Sequence, residues 1–106
     1  MRIVVRFTVS SRVEIVGLLT HRLADEGDAV RFAALYLEDI EQQLRRHEGP
    51  PPEAEERVQE DGSTWWWKYA DGIWTAFRIS DSARRFLGVT VRRIEVFSFR
   101  SRPTRP

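Results

Sequence analysis

The sequence predicts an α+β domain, in the order β-α-α-β-β-β, with two antiparallel helices packed on one face of an antiparallel sheet. Three observations carry this expectation. The first residues alternate apolar and polar, the next stretch holds two capped segments of helical period, and the second half is dominated by an aromatic hairpin and a further alternating strand. A chain of 106 residues is enough for a single core.

From Arg2 to Val9, residues Ile3, Val5, Phe7 and Val9 share one side and Arg2, Arg6 and Thr8 the other, the pattern of a half-buried strand. Ser10-Ser11 ends it. Ser11 with Glu14 three residues later reads as a capping box for a helix from about Arg12 to Glu26, with Val13, Val16, Leu19 and Leu23 as its apolar stripe. Gly27 is its stop. Asp28 then caps a second helix from about Ala29 to His47, where Ala33, Leu37, Ile40 and Leu44 share a face that Val30, Phe32 and Tyr36 widen. Gly49 and Pro50-Pro51-Pro52 end it, and the short connection at Gly27-Asp28 makes the helices antiparallel neighbours.

Residues 53–63 are acidic, with Val58 alone able to anchor them, and read as a helical turn or a connector. The stretch Trp65 to Ile79 then holds all four tryptophans around Asp71-Gly72, a dipeptide suited to a tight type I′ turn. Pairing Ala70 with Ile73 and Tyr69 with Trp74 puts Trp66, Lys68, Ala70, Ile73, Thr75, Phe77 and Ile79 on a face suited to burial. Trp65, Trp67, Tyr69, Trp74, Ala76 and Arg78 occupy the other. A three-residue loop exchanges these faces and brings Lys68 to the open side. Residues 81–88 form a loop or one helical turn. A last strand from about Val89 to Phe99 turns Ile94 and Val96 to the core and Arg93, Glu95, Phe97 and Phe99 away from it. The domain therefore spans residues 1–99, followed by a basic tail, 100–106.

There are no cysteines, so disulfides and thiolate metal sites are excluded. His21 and His47 are the only imidazoles and form no metal-binding spacing, so neither metal nor cofactor is expected. His47, with Arg45 and Arg46, reads as favourable charge at a helix C-terminus. No apolar run approaches the roughly 20 residues that span a bilayer, and the N-terminus lacks a secretory pattern, so a cytoplasmic protein without a membrane partner is expected. Residues 1–61 hold eight bases against thirteen acids, and residues 62–106 nine against three. The basic half is also the aromatic half, which suits a phosphate-bearing or acidic partner.

In size, in its β-α-α-β-β-β order over about residues 2–99, in the proline-marked exit from the second helix, in the hairpin turning at Asp71-Gly72 and in the closing strand from Val91 to Arg100, the chain resembles the RelE/ParE superfamily of bacterial toxins from toxin–antitoxin pairs. The resemblance implies growth inhibition, either by ribosome-dependent mRNA cleavage or by inhibition of DNA gyrase without catalysis, with a cognate antitoxin as partner. Where RNA-cleaving members commonly carry a basic residue behind an aromatic just after the hairpin turn, this chain has Ile73 and Trp74. Arg100 and Arg102 stand in the C-terminal segment where several such nucleases place a Tyr or His.

Such a nuclease must deprotonate a ribose 2′-hydroxyl, neutralise charge on the attacked phosphate and protonate the leaving 5′-oxygen. Arg78 and Arg93 suit the phosphate, because a planar guanidinium grips it at two points and stays charged. Tyr69 is the candidate acid, and Lys68 is a base only if it faces the site. Trp65, Trp67 and Trp74 are candidate stacking platforms, and Arg100 and Arg102 candidate binding charges. The structural readings beside these are a cation–π contact from Arg78 to Trp65 or Trp67 and a cross-strand Tyr69–Trp74 pair. The alternative function is a non-catalytic protein-interaction module that uses the exposed Trp/Arg face to bind a partner, an antitoxin or a second copy of the chain.

Overall fold

The computed structural model describes residues 1–23, 25–70, 72–84 and 88–101. Its elements are β1 (Arg2–Phe7), α1 (Val9–Leu23), α2 (Glu26–His47), β2 (Glu55–Gln59), β3 (Gly62–Lys68), β4 (Ile73–Arg84) and β5 (Val89–Ser101). The expected α+β order is present, with one further strand, β2, ahead of the aromatic hairpin. The sheet runs β1-β5-β4-β3-β2. Three of its pairings are antiparallel, but β1 lies parallel to β5. The expectation of a wholly antiparallel sheet is corrected there. No hairpin joins β1 to β5, so turn geometry does not dictate their direction as it does for β2 through β5.

β2 falls in the acidic stretch where a helical turn or a connector is expected. It is an edge strand, exposed along most of its length, and Val58 is 78% exposed rather than an anchor. Its pairing is with the backbone of β3, from Glu55 opposite Trp66 to Gln59 opposite Gly62.

Both helices begin earlier than expected. Thr8, not Ser11, caps α1: its hydroxyl accepts from the Ser11 N–H at 3.1 Å, and the Ser11 hydroxyl donates to the Thr8 carbonyl at 2.8 Å. With both its polar groups satisfied, Ser11 is buried beside Ile15 and Leu19, while Val13 and Leu23 point outward. Asp25 caps α2, accepting from the Asp28 N–H at 2.9 Å. The stripe Ala33, Leu37, Ile40 and Leu44 is buried as its spacing implies, and Val30 and Phe32 are exposed. Glu48 closes α2 in the left-handed region, with the Gly49 N–H reaching the Leu44 carbonyl at 3.2 Å.

β1 is short, so it pairs only with Val91–Val96 of β5. α1 continues in its place along the second half of β5, held by Ser98 Oγ to Glu14 Oε2 at 3.3 Å and Arg22 Nη2 to Ser101 Oγ at 2.8 Å. α2 lies on the sheet, tied by Tyr36 Oη to the Ala70 carbonyl at 3.1 Å and by Arg45 Nη1 to the Ile3 carbonyl at 2.7 Å. The single large core lies between these helices and one face of the sheet, centred on Phe77, Ile94, Val96, Ile40 and Leu44.

The hairpin register differs by one residue from the two-residue turn. Trp65 faces Phe77, Trp66 faces Ala76, Trp67 faces Thr75 and Lys68 faces Trp74. The Ile73 N–H donates to the Ala70 carbonyl at 3.1 Å and Gly72 has φ 69°, so the connection is longer by one residue than the expected two-residue turn; Asp71 lies outside the described residues. Because side chains alternate, this slip leaves β4 as expected but exchanges the faces of β3. Trp65, Trp67 and Tyr69 turn to the helices, and Trp66 and Lys68 turn away. A second irregularity falls in β5, where Ala76 faces Ser98 but Phe77 faces Val96, so Phe97 is the extra residue of a bulge. Beyond it the alternation is reversed, and Phe99 joins the core.

Two stability predictions follow from this packing. Arg92 grips Asp81 through Nε at 2.8 Å and Nη2 at 2.9 Å, and its Nη1 donates to the Glu48 carbonyl at 2.7 Å, tying β4 and β5 to the end of α2. The hydrogen bond from Arg92 holds the Asp81 carboxyl below its ordinary value. A depressed folded pKa contributes stability above the unfolded value, near 3.9, that is lost as pH falls through the folded one. Asp81→Asn should therefore lower the Tm at neutral pH, with the deficit shrinking towards zero in strong acid; a pH-independent deficit contradicts this. Thr75 is fully buried between Trp67 and Phe99, and its hydroxyl has no partner. Thr75→Val should raise urea-unfolding stability by about 1 kcal/mol, by removing a buried polar group left unpaired.

Candidate nucleic-acid interface

Two helices cover one face of the five-stranded sheet, and the other face is left to its own side chains. Alternation brings Arg2 and Arg6 of β1, Arg93, Glu95 and Arg100 of β5, Trp74 and Arg78 of β4, and Trp66 and Lys68 of β3 to that side. Register sets their neighbours. Glu95 sits opposite Arg6 on one side and Arg78 on the other, and Arg93 sits opposite Ser80.

At one end of the face a cavity of about 380 Å³ is lined by Arg6, Arg78 and Arg93, with Glu95, Asp61, Ser63 and Ser80 on its walls. The guanidinium of Arg78 lies 4.5 Å from the Phe97 ring centroid, and its Nη2 is 4.0 Å from Asp61 Oδ2. It therefore stacks on Phe97, the bulged residue, rather than on Trp65 or Trp67. Half-exposed and loosely paired, it can exchange Asp61 for another anion at little cost, because an exposed ion pair of this kind contributes at most about 1 kcal/mol.

Along the strands from this cavity, Trp66, Trp74 and Ala76 form a small cluster against which Phe97 packs. Arg100 lies over it, its Cζ 5.3 Å from the Trp66 ring centroid. Aromatic rings on an uncovered sheet face, capped by arginines, are partly desolvated by their own neighbours. The same combination of π-faces and guanidinium groups is what unpaired bases and a phosphate backbone require.

The structure brings some of the expected site residues together and separates others. Arg78 and Arg93 line the same cavity. Trp74 and Arg100 lie on the same face, further along it. Trp65 and Trp67 do not share it: Trp67 is buried in the main core and Trp65 packs against that core. Tyr69 is on the helix side too, its ring 4.8 Å from that of Trp67 and 5.4 Å from that of Tyr36. It does not pair with Trp74. A separate cavity of about 340 Å³ between β3 and the end of α2 gathers Tyr69 with His47, Glu53, Lys68 and Gln43. The expected acid and the expected phosphate-binding arginines are thus on opposite sides of the sheet. Arg102 lies outside the described residues.

Phe97 lies on the side that its alternation with Arg93 and Glu95 gives it, while two members of the face do not follow from the sequence: the expected register puts Trp66 in the core, and Arg6 joins the cavity only through the parallel β1–β5 pairing. The alternation of Arg6 with Val5 and Phe7 was a signal of its side, though not of its neighbours. Among the described residues no cluster of three or more His, Asp or Glu could hold a metal ion. No described helix is long and apolar enough to cross a membrane. Comparison with protein-family models, with curated proteins and with solved structures finds no match.

Proposed function

We propose that this chain is a growth inhibitor of the RelE/ParE toxin type that acts in the cytoplasm by holding messenger RNA on the open face of its sheet, and that an antitoxin restrains it. One observation carries the reading: Arg6, Arg78 and Arg93, from three different strands, converge on one cavity beside the aromatic cluster of Trp66, Trp74 and Phe97. Three guanidinium groups at one concavity favour a phosphate, and the neighbouring rings favour the bases attached to it. Tyr69 lies across the sheet from these arginines, so the reading is of RNA held in place, with no cleavage step assigned to Tyr69. The excess of base over acid in residues 62–106 acts in the same direction.

A second reading has its own observation. β2 offers an unpaired edge with Val58 78% exposed. Such an edge accepts an added strand, which is how a protein-interaction module, or an antitoxin bound to the toxin, engages a sheet.

Induced expression of the chain without an antitoxin should arrest growth, and the triple variant Arg6→Ala, Arg78→Ala, Arg93→Ala should not. In filter binding to single-stranded RNA, the slope of log K against log salt should become shallower in the triple variant by about 2, since each lost phosphate contact removes roughly 0.7. Harmless expression together with an unchanged salt slope contradicts the proposal.

A further inference from the structure

The arginine cavity also holds a carboxylate that ion pairing does not account for. Glu95 is exposed, and it lies opposite Arg6 of β1 on one side and Arg78 of β4 on the other. Arg93 stands two residues away on the same face of β5. Side chains directly opposite on neighbouring strands are about 5 Å apart at Cβ, within reach of a Glu–Arg ion pair. Neither arginine makes one. Arg78 turns instead to Asp61 at 4.0 Å and to the Phe97 ring at 4.5 Å. Among the described residues no hydrogen bond or ion pair holds the side chain of Glu95, Arg6 or Arg93.

A free negative charge beside three guanidinium groups weakens their hold on a phosphate. It contributes to binding only where the ligand brings donors as well as an anion. The cavity thus combines guanidinium groups, which only donate, with a carboxylate, which only accepts. At about 380 Å³ it is in the size range of sites that enclose one small ligand. Among the four RNA bases, guanine alone presents two adjacent donors, N1–H and N2–H, to match the two oxygens of one carboxylate. Adenine and cytosine each set their amino group beside an acceptor nitrogen, and uracil sets its single N–H between two carbonyls. The other edge of guanine, O6 and N7, is the commonest bidentate target of arginine. We infer that this cavity selects guanine in the RNA strand, with Glu95 accepting from N1–H and N2–H and the surrounding arginines holding O6, N7 and the adjoining phosphate. The inference rests on the RNA reading above and adds to it the base that the site prefers.

The test is fluorescence anisotropy of the full chain with a labelled short oligouridylate whose central residue is uridine, adenosine, cytidine, guanosine or inosine. The guanosine oligomer should bind about tenfold more tightly than the uridine, adenosine and cytidine ones, the discrimination of one good bidentate pair. Inosine keeps O6, N7 and N1–H but lacks the N2 amino group, and should lose most of that preference. Glu95→Gln should abolish the preference and leave binding of the uridine oligomer as tight or tighter, because it removes a negative charge from beside the phosphate. If the variant binds all oligomers more tightly by one common factor, Glu95 only balances charge and the inference is overturned. Inosine equal to guanosine assigns any preference to the arginines and overturns the role of Glu95. Equal binding of all the oligomers by the wild type rejects base selection and leaves the RNA reading in place, whereas no binding of any removes both. Free guanosine monophosphate should displace the guanosine oligomer only in large excess; displacement at equal concentration makes the cavity a free-nucleotide site and overturns selection within RNA.

Discussion

A five-stranded sheet has two faces and this chain has one layer of helices. α1 and α2 bury Phe77, Ile94, Val96 and Phe99 against the sheet, and no other described element lies over its far side. The far side nevertheless carries two tryptophans and a phenylalanine, and it shields them with what the strands themselves supply. Arg100 lies over Trp66, Arg78 lies over Phe97, and Trp66 and Trp74 enclose Ala76, which is completely buried. Each arginine so placed covers apolar surface with its stem and holds a charged head at the solvent boundary. The uncovered face is consequently both aromatic and cationic for a structural reason.

Much of the fold was readable from the chain because hydrophobic period acts locally. The alternation from Arg2 to Phe7, the buried stripe of α2 and the order of elements all appear in the structure. The start of α1 was not readable. Thr8 and Ser11 can both cap, and which one does so depends on the Thr8–Ser11 hydrogen bonds and the burial of Ser11. β2 was illegible for a different reason: an edge strand with almost no buried side chain has no pattern to show, and only the backbone of β3 makes it a strand. The parallel placement of β1 beside β5 is a long-range choice that no local signal encodes.

The candidate site was legible in its residue types more than in its geometry. A strand's side-chain period is two, so a turn longer by one residue moved Trp65, Trp67 and Tyr69 to the core and Trp66 and Lys68 to the open side. The same slip left Trp74 and Arg78 where they were expected, because β4 keeps its own alternation relative to β5. The bulge at Phe97 did the rest, sending Phe99 into the core and placing Phe97 beneath Arg78. Arg78 and Arg93 therefore meet in one cavity with Arg6 rather than with Tyr69.

The account stands on the uncovered face being the surface that meets RNA. Ultraviolet crosslinking of the intact chain to 4-thiouridine-containing RNA, followed by mass-spectrometric mapping of the modified peptides, tests this most directly. The account predicts crosslinks at Trp66 and Phe97, on β3 and β5, and none on the helices. Crosslinks confined to α1 and α2, or to Tyr69 in the cavity beside His47, would contradict it.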